Sequence, residues 1–104
     1  MPIFSFRGVP EEKVREYYNK VDEIGKLINA NVKKIVFWFE PYKLIGDSRQ
    51  ENAILVKVDW IGRPLKQELL AKHIQEHFSN YSDNIYVQFN EVNNFLYLNG
   101  VCVG

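Results

Sequence analysis

A chain of 104 residues, 46% of them apolar and 14% aromatic, has the length of a single domain spanning 1–104. It can bury one core without disulfide or metal support. Thirteen Lys and Arg balance thirteen Asp and Glu, locally as well as overall (nine basic and eight acidic residues in 1–52, four and five in 53–104), which excludes the basic face of a nucleic-acid protein and a polybasic membrane anchor.

Residues 2–7 alternate as a strand, with Pro2, Phe4 and Phe6 on one face and Ile3, Ser5 and Arg7 on the other. Gly8 ends it. Pro10 suits a first helical position, and Glu11 and Glu12 complement the helix dipole. Val14, Tyr17, Tyr18, Val21, Ile24, Leu27 and Ile28 then form one apolar stripe, which predicts a helix over about 10–29. Ile35-Val36-Phe37-Trp38-Phe39 is β-branched and aromatic throughout, the pattern of a strand buried on both faces. Pro41 stops it, and the polar stretch 43–52 reads as a loop.

A third strand covers 53–61, where Ile54, Val56, Val58 and Trp60 alternate with Leu55, Lys57, Asp59 and Ile61. Gly62 breaks it and Pro64 opens a second helix, whose stripe of Leu65, Leu69, Leu70, Ile74 and Phe78 ends near Asn80. Strand 85–90 alternates Ile85, Val87 and Phe89 with Tyr86, Gln88 and Asn90. In the tail, residues 96–103 flank Asn99-Gly100 with alternating side chains, the signal for a hairpin.

The expected fold is therefore α/β: two tandem β-α-β units in one four-stranded sheet, two helices on one face, and a C-terminal β-hairpin. The other face would carry Ile3, Ser5, Lys57, Asp59, Tyr86 and Gln88. That mixture is too apolar for open solvent and too polar for a dry core, so the chain is expected to oligomerise.

No apolar run approaches the ~18 residues of a membrane span. The opening Met-Pro-Ile-Phe-Ser-Phe-Arg-Gly lacks the pattern of a signal peptide, and Cys102 is alone, so a cytoplasmic address is expected. His73-Ile74-Gln75-Glu76-His77 matches H-x-x-E-H, in which two His at i, i+4 and a Glu serve zinc chemistry. Three fixed positions are a weak signal, and both His flank the stripe of Leu70, Ile74 and Phe78; no metal site is assigned. The β-α-β-β-α-β order also suits an RNA-binding module, but Ala53–Trp60 lacks the exposed aromatic motif that such a module needs.

An apolar strand opening directly at Met1-Pro2, two β-α-β units and a short closing strand resemble the tautomerase superfamily, the macrophage migration inhibitory factor-like proteins, over nearly the whole chain. Met-Pro-x-x-x-Phe-Arg-Gly, Val56-Lys57-Val58-Asp59-Trp60 ahead of Arg63, and Asn99-Gly100 are more closely similar to an uncharacterised bacterial family of tautomerase-like fold with no settled activity. The resemblance implies a homotrimer and a cofactor-free proton transfer on an enolisable keto acid. Its base is an amino-terminal proline whose pKa is lowered by desolvation. Pro2 matches that position once Met1 is removed.

By the same resemblance, Tyr86-Val87-Gln88-Phe89 matches a strand whose tyrosine reaches the neighbouring subunit's site, making Tyr86 the assisting acid with Gln88 beside it. Ile61-Gly62-Arg63 matches a turn whose backbone amide faces the pocket. The superfamily's carboxylate-binding lysine falls at Ala30, leaving Lys33, Arg7 and Arg63 as substitute cations for the substrate. The alternative expectation is a non-catalytic trimeric binding protein that keeps the fold without the chemistry.

Overall fold

The computed structural model describes residues 2–42, 44–45 and 52–103. Strand β1 (Ile3–Arg7) leads into α1 (Glu11–Tyr18), α2 (Val21–Ile28) and β2 (Val36–Glu40). Strand β3 (Ile54–Trp60) then leads into α3 (Gln67–Phe78) and β4 (Ile85–Glu91), and β5 (Tyr97–Leu98) and β6 (Val101–Cys102) close the chain. Most of the loop expected at 43–52 lies outside the described residues.

The sheet runs β2-β1-β3-β4, with β1 parallel to β2, β3 parallel to β4, and the two central strands antiparallel. Each parallel pair is one β-α-β unit, as the element order requires. Register sorts the side chains. Phe4, Phe6, Ile54, Val56, Val58 and Trp60 turn under the helices and are essentially excluded from solvent. They meet Val14, Tyr17, Ile24 and Ile28 from α1 and α2 and Leu70, Ile74 and Phe78 from α3. Phe37 packs its ring 4.9 Å from both Phe4 and Phe6, and Trp60 stacks on Phe89 at 5.0 Å.

The open face consists of three rows that cross the sheet from β2 to β4: Glu40-Arg7-Leu55-Tyr86, Trp38-Ser5-Lys57-Gln88 and Val36-Ile3-Asp59-Asn90. These include the six residues that the alternation assigned to it.

Three expectations need correction. Leu65 and Leu69, expected on the apolar stripe of the second helix, are exposed, because Pro64–Lys66 forms a 3-10 turn and α3 turns only Leu70, Ile74 and Phe78 inward. The helix over 10–29 is two helices, and Asn19 and Lys20 close on Glu16 and Tyr17 with three-residue turns at the junction. The reason is arithmetic: Tyr18, Val21, Ile24 and Leu27 step by three, so on a 3.6-residue helix the stripe drifts and a tightened turn resets it. Strand β2 is not buried on both faces. It is a sheet edge, and within one chain Trp38 is 60% exposed; a continuous apolar run marks burial only when something covers the second face. The tail does form the expected hairpin. Asn99 and Gly100 take φ of 51° and 83°, the two positive values of a type I′ turn. All four of its strand residues are exposed.

Candidate functional site

Pro2 is buried at the head of the central strand β1, and its carbonyl accepts the Val36 N–H at 3.0 Å. It stands one position beyond the Ile3–Asp59 pair, at the end of the sheet where β3 gives way to Ile61-Gly62-Arg63. Gly62 turns the chain there at φ +58°, a conformation that side-chain-bearing residues adopt at a cost.

Glu91 ties this turn down. Its carboxylate accepts from the Trp60 indole, the Arg63 backbone N–H at 2.9 Å and the Gln67 amide at 3.0 Å. Burial works to raise its pKa, but the three hydrogen bonds and the nearby Arg63 charge outweigh burial and hold the carboxyl below its ordinary value. The amide at this turn that finds a partner is thus Arg63's, within the fold. The Arg63 guanidinium reaches back to the C-terminal end of α2, donating through Nη1 to the carbonyls of Ile28 at 2.6 Å and Asn29 at 3.0 Å. A cation complements the negative end of the helix dipole there. Its Nε is buried without a partner among the described residues.

Lys33 is exposed in a short 3-10 turn, Val32–Lys34, on the segment that enters β2 beside Pro2, and its backbone N–H is capped by Asn31 Oδ1 at 3.0 Å. Pro2, Lys33, Ile61 and Arg63 therefore share one end of the sheet.

Tyr86 and Arg7 do not. They lie in the Glu40-Arg7-Leu55-Tyr86 row at the opposite end, roughly 16 Å from Pro2 by strand rise. Gln88 lies between, in the row of Ser5 and Lys57. A single chain brings Pro2 together with neither Tyr86 nor Gln88.

The two His of the H-x-x-E-H stretch serve the helix layer instead. His73 Nδ1 shares a hydrogen bond with the buried Tyr17 hydroxyl at 2.8 Å, and its Nε2 lies 3.3 Å from Glu23. His77 packs against the Tyr17 ring at 4.7 Å. Burial, then the Glu23 charge, push the Tyr17 hydroxyl pKa up. No three His, Cys, Asp or Glu side chains come together as a metal cage among the described residues.

The anchoring role of Glu91 at the turn is not among the sequence-based expectations, although the sequence carries a signal for it. Glu91 continues the inward series Ile85, Val87, Phe89, and a carboxylate on an inward position needs buried donors.

The family model for the domain of unknown function DUF1904 matches residues 1–101. The chain belongs to the DUF1904 family. A DUF1904 structure from Sebaldella termitidis superposes with a TM-score of 0.86 at 22% identity, covering 98% of this chain and 99% of that one. A macrophage migration inhibitory factor homologue from Prochlorococcus marinus superposes at 0.76 and 16% identity, over 99% and 98% of the two chains. A fused wild-type 4-OT asymmetric trimer gives 0.74 and 16%, over 96% and 94%. Among curated proteins, no sequence matches this chain. The DUF1904 chain thus has the tautomerase fold, as the Met-Pro start and tandem β-α-β units implied. Among its described residues, no helix is long and apolar enough to cross a membrane.

Proposed function

We propose that this protein is a small cytoplasmic isomerase, one domain per subunit and three subunits per molecule, that moves a proton on an enolisable keto acid. The observation that carries the reading is the place of Pro2, buried at the head of a central strand in a tautomerase fold. With Met1 removed, its nitrogen is a secondary amine whose charged form is disfavoured by burial, so it stays a free base near neutrality. In the enolisation direction the amine takes the proton from the carbon α to the carbonyl. The C–H electron pair becomes the C=C π bond, and the carbonyl oxygen takes a proton from Tyr86 of the partner subunit; ketonisation is the reverse. Assignment of Tyr86 to a partner follows from its distance from Pro2 within one chain. Ile61 and Gln88 would line the pocket, with Lys33 at the Pro2 end to meet a carboxylate.

A second reading, a non-catalytic trimeric binding protein, draws on two observations: Ala30 stands where the superfamily has its lysine, and the Arg63 Nη1 is committed to two helix carbonyls. One assay separates the two readings. Natively produced protein, shown by intact mass to lack Met1, is expected to accelerate ketonisation of phenylenolpyruvate, followed by absorbance. Pro2→Ala is expected to lower the rate by about 10²-fold or more. Retained Met1, a rate no greater than buffer, or an unchanged rate in the variant would overturn the enzymatic reading.

A further inference from the structure

At the end of the sheet far from Pro2, a cavity of about 300 Å³ opens between the end of β1, the starts of β3 and β4, and the segment after β2. Leu44, Ile45 and Leu55 give it apolar walls, and Arg7, Tyr42 and Tyr86 supply the polar groups. The volume is at the lower end of small-molecule sites, and a few polar groups set in an apolar lining are what such sites share.

Arg7 is braced from two sides. Its guanidinium lies over the Tyr42 ring, 4.5 Å from the centroid, and its Nη2 is 3.5 Å from Glu40 Oε1. A cation held over a ring face is positioned by the ring while its N–H groups stay free to meet an acceptor. Neither Nε nor Nη1 donates a hydrogen bond among the described residues. A cation with uncommitted N–H groups beside apolar walls matches a carboxylate carried on an apolar body, met by a charge-assisted hydrogen bond.

We propose that this cavity binds the carboxylate end of a small aromatic or aliphatic acid through Arg7, and that it forms the half of the working site that travels with Tyr86. The second clause rests on the reading in which Tyr86 serves a partner's Pro2. It follows from register, because Arg7, Leu55 and Tyr86 are cross-strand neighbours in one row, so a subunit that receives Tyr86 receives Arg7 as well. The cation missing at Ala30 is then supplied from β1 of the adjacent chain.

Binding tests this without turnover. Phenylpyruvate and its methyl ester are titrated by calorimetry into the intact protein, into Arg7→Gln and into Arg7→Lys, with circular dichroism confirming the folds. Loss of a charge-assisted pair corresponds to about tenfold or more in affinity. Arg7→Gln is therefore expected to weaken the acid at least that much while leaving the ester within about twofold, and Arg7→Lys should fall between. Equal weakening of acid and ester, an unchanged acid affinity in Arg7→Gln, or no binding of the acid by the unaltered protein would each overturn the proposal. A protein that binds the acid through Arg7 yet shows no ketonisation would keep this site and refute the proline chemistry alone.

Discussion

On the helix-covered face of the sheet Phe4, Phe6, Val56, Val58 and Trp60 have no solvent exposure, whereas Ile3, Ser5, Lys57 and Asp59, which alternate with them, are half-buried. On that open face Trp38 and Tyr86 are more exposed still, at 60% and 54%. The covered face is a packing solution that many apolar sets could supply. The open face carries a tryptophan, a tyrosine, an arginine and a lysine at positions that no helix among the described residues covers. The difference teaches that packing is settled within the chain on one face, while the other is left available for contacts from outside it.

The sharpest way to break that division is to injure the covered face. Phe6→Ala removes a ring that meets Tyr17, Phe37 and Phe78, and is expected to cost about 3–5 kcal/mol in urea unfolding. A cost below about 1 kcal/mol would mean that the core is not where the packing puts it.

Glu91→Gln comes next, at about 1–3 kcal/mol, because it weakens the acceptor for three donors that anchor the 61–63 turn. The sign with pH is fixed. A carboxyl whose folded pKa lies below its unfolded value contributes stability at neutral pH and loses it as pH falls through and below about 4.5. Unfolding measured from pH 7 to pH 3 should therefore show a flatter acid limb in Glu91→Gln than in the unaltered protein.

Trp38→Ala, on the open face, is expected to change the subunit's own stability by about 0.5 kcal/mol or less. Light scattering should nonetheless show the assembly weakened, since an exposed aromatic on a sheet edge stabilises only what it touches. A large loss of subunit stability with unchanged mass would erase the contrast between the faces.

The smallest effect is expected at His77, whose pKa is lowered by burial and then by Lys20. The folded state holds this proton less well than the unfolded chain, so stability declines as pH drops below 6.5. His77→Gln should remove that part of the decline in the same pH series.

Local pattern revealed much of this molecule in advance. Period-two alternation assigned Ile3, Ser5, Lys57, Asp59, Tyr86 and Gln88 to one face, and register agrees. Asn99-Gly100 announced its turn because both residues tolerate positive φ. What stayed hidden depended on distant partners. The exposure of Trp38 follows from β2 lying at the edge, which is decided by long-range strand pairing. The separation of Pro2 from Tyr86 has the same origin, since each sits on a recognisable strand and only the sheet shows them at opposite ends. Tyr42 stacks on Arg7 from an irregular segment with no periodicity to reveal it.

The central claim, that the site is divided between chains, is open to one direct measurement. Pro2→Ala and Tyr86→Ala chains, each inactive alone, are unfolded, mixed in equal amounts and refolded, and ketonisation is followed. In a cyclic assembly with random mixing, about a quarter of the sites pair an intact Pro2 with an intact Tyr86 from the neighbour, so activity should return to about a quarter of the unaltered level. A mixture no more active than the two variants kept apart would contradict the divided site.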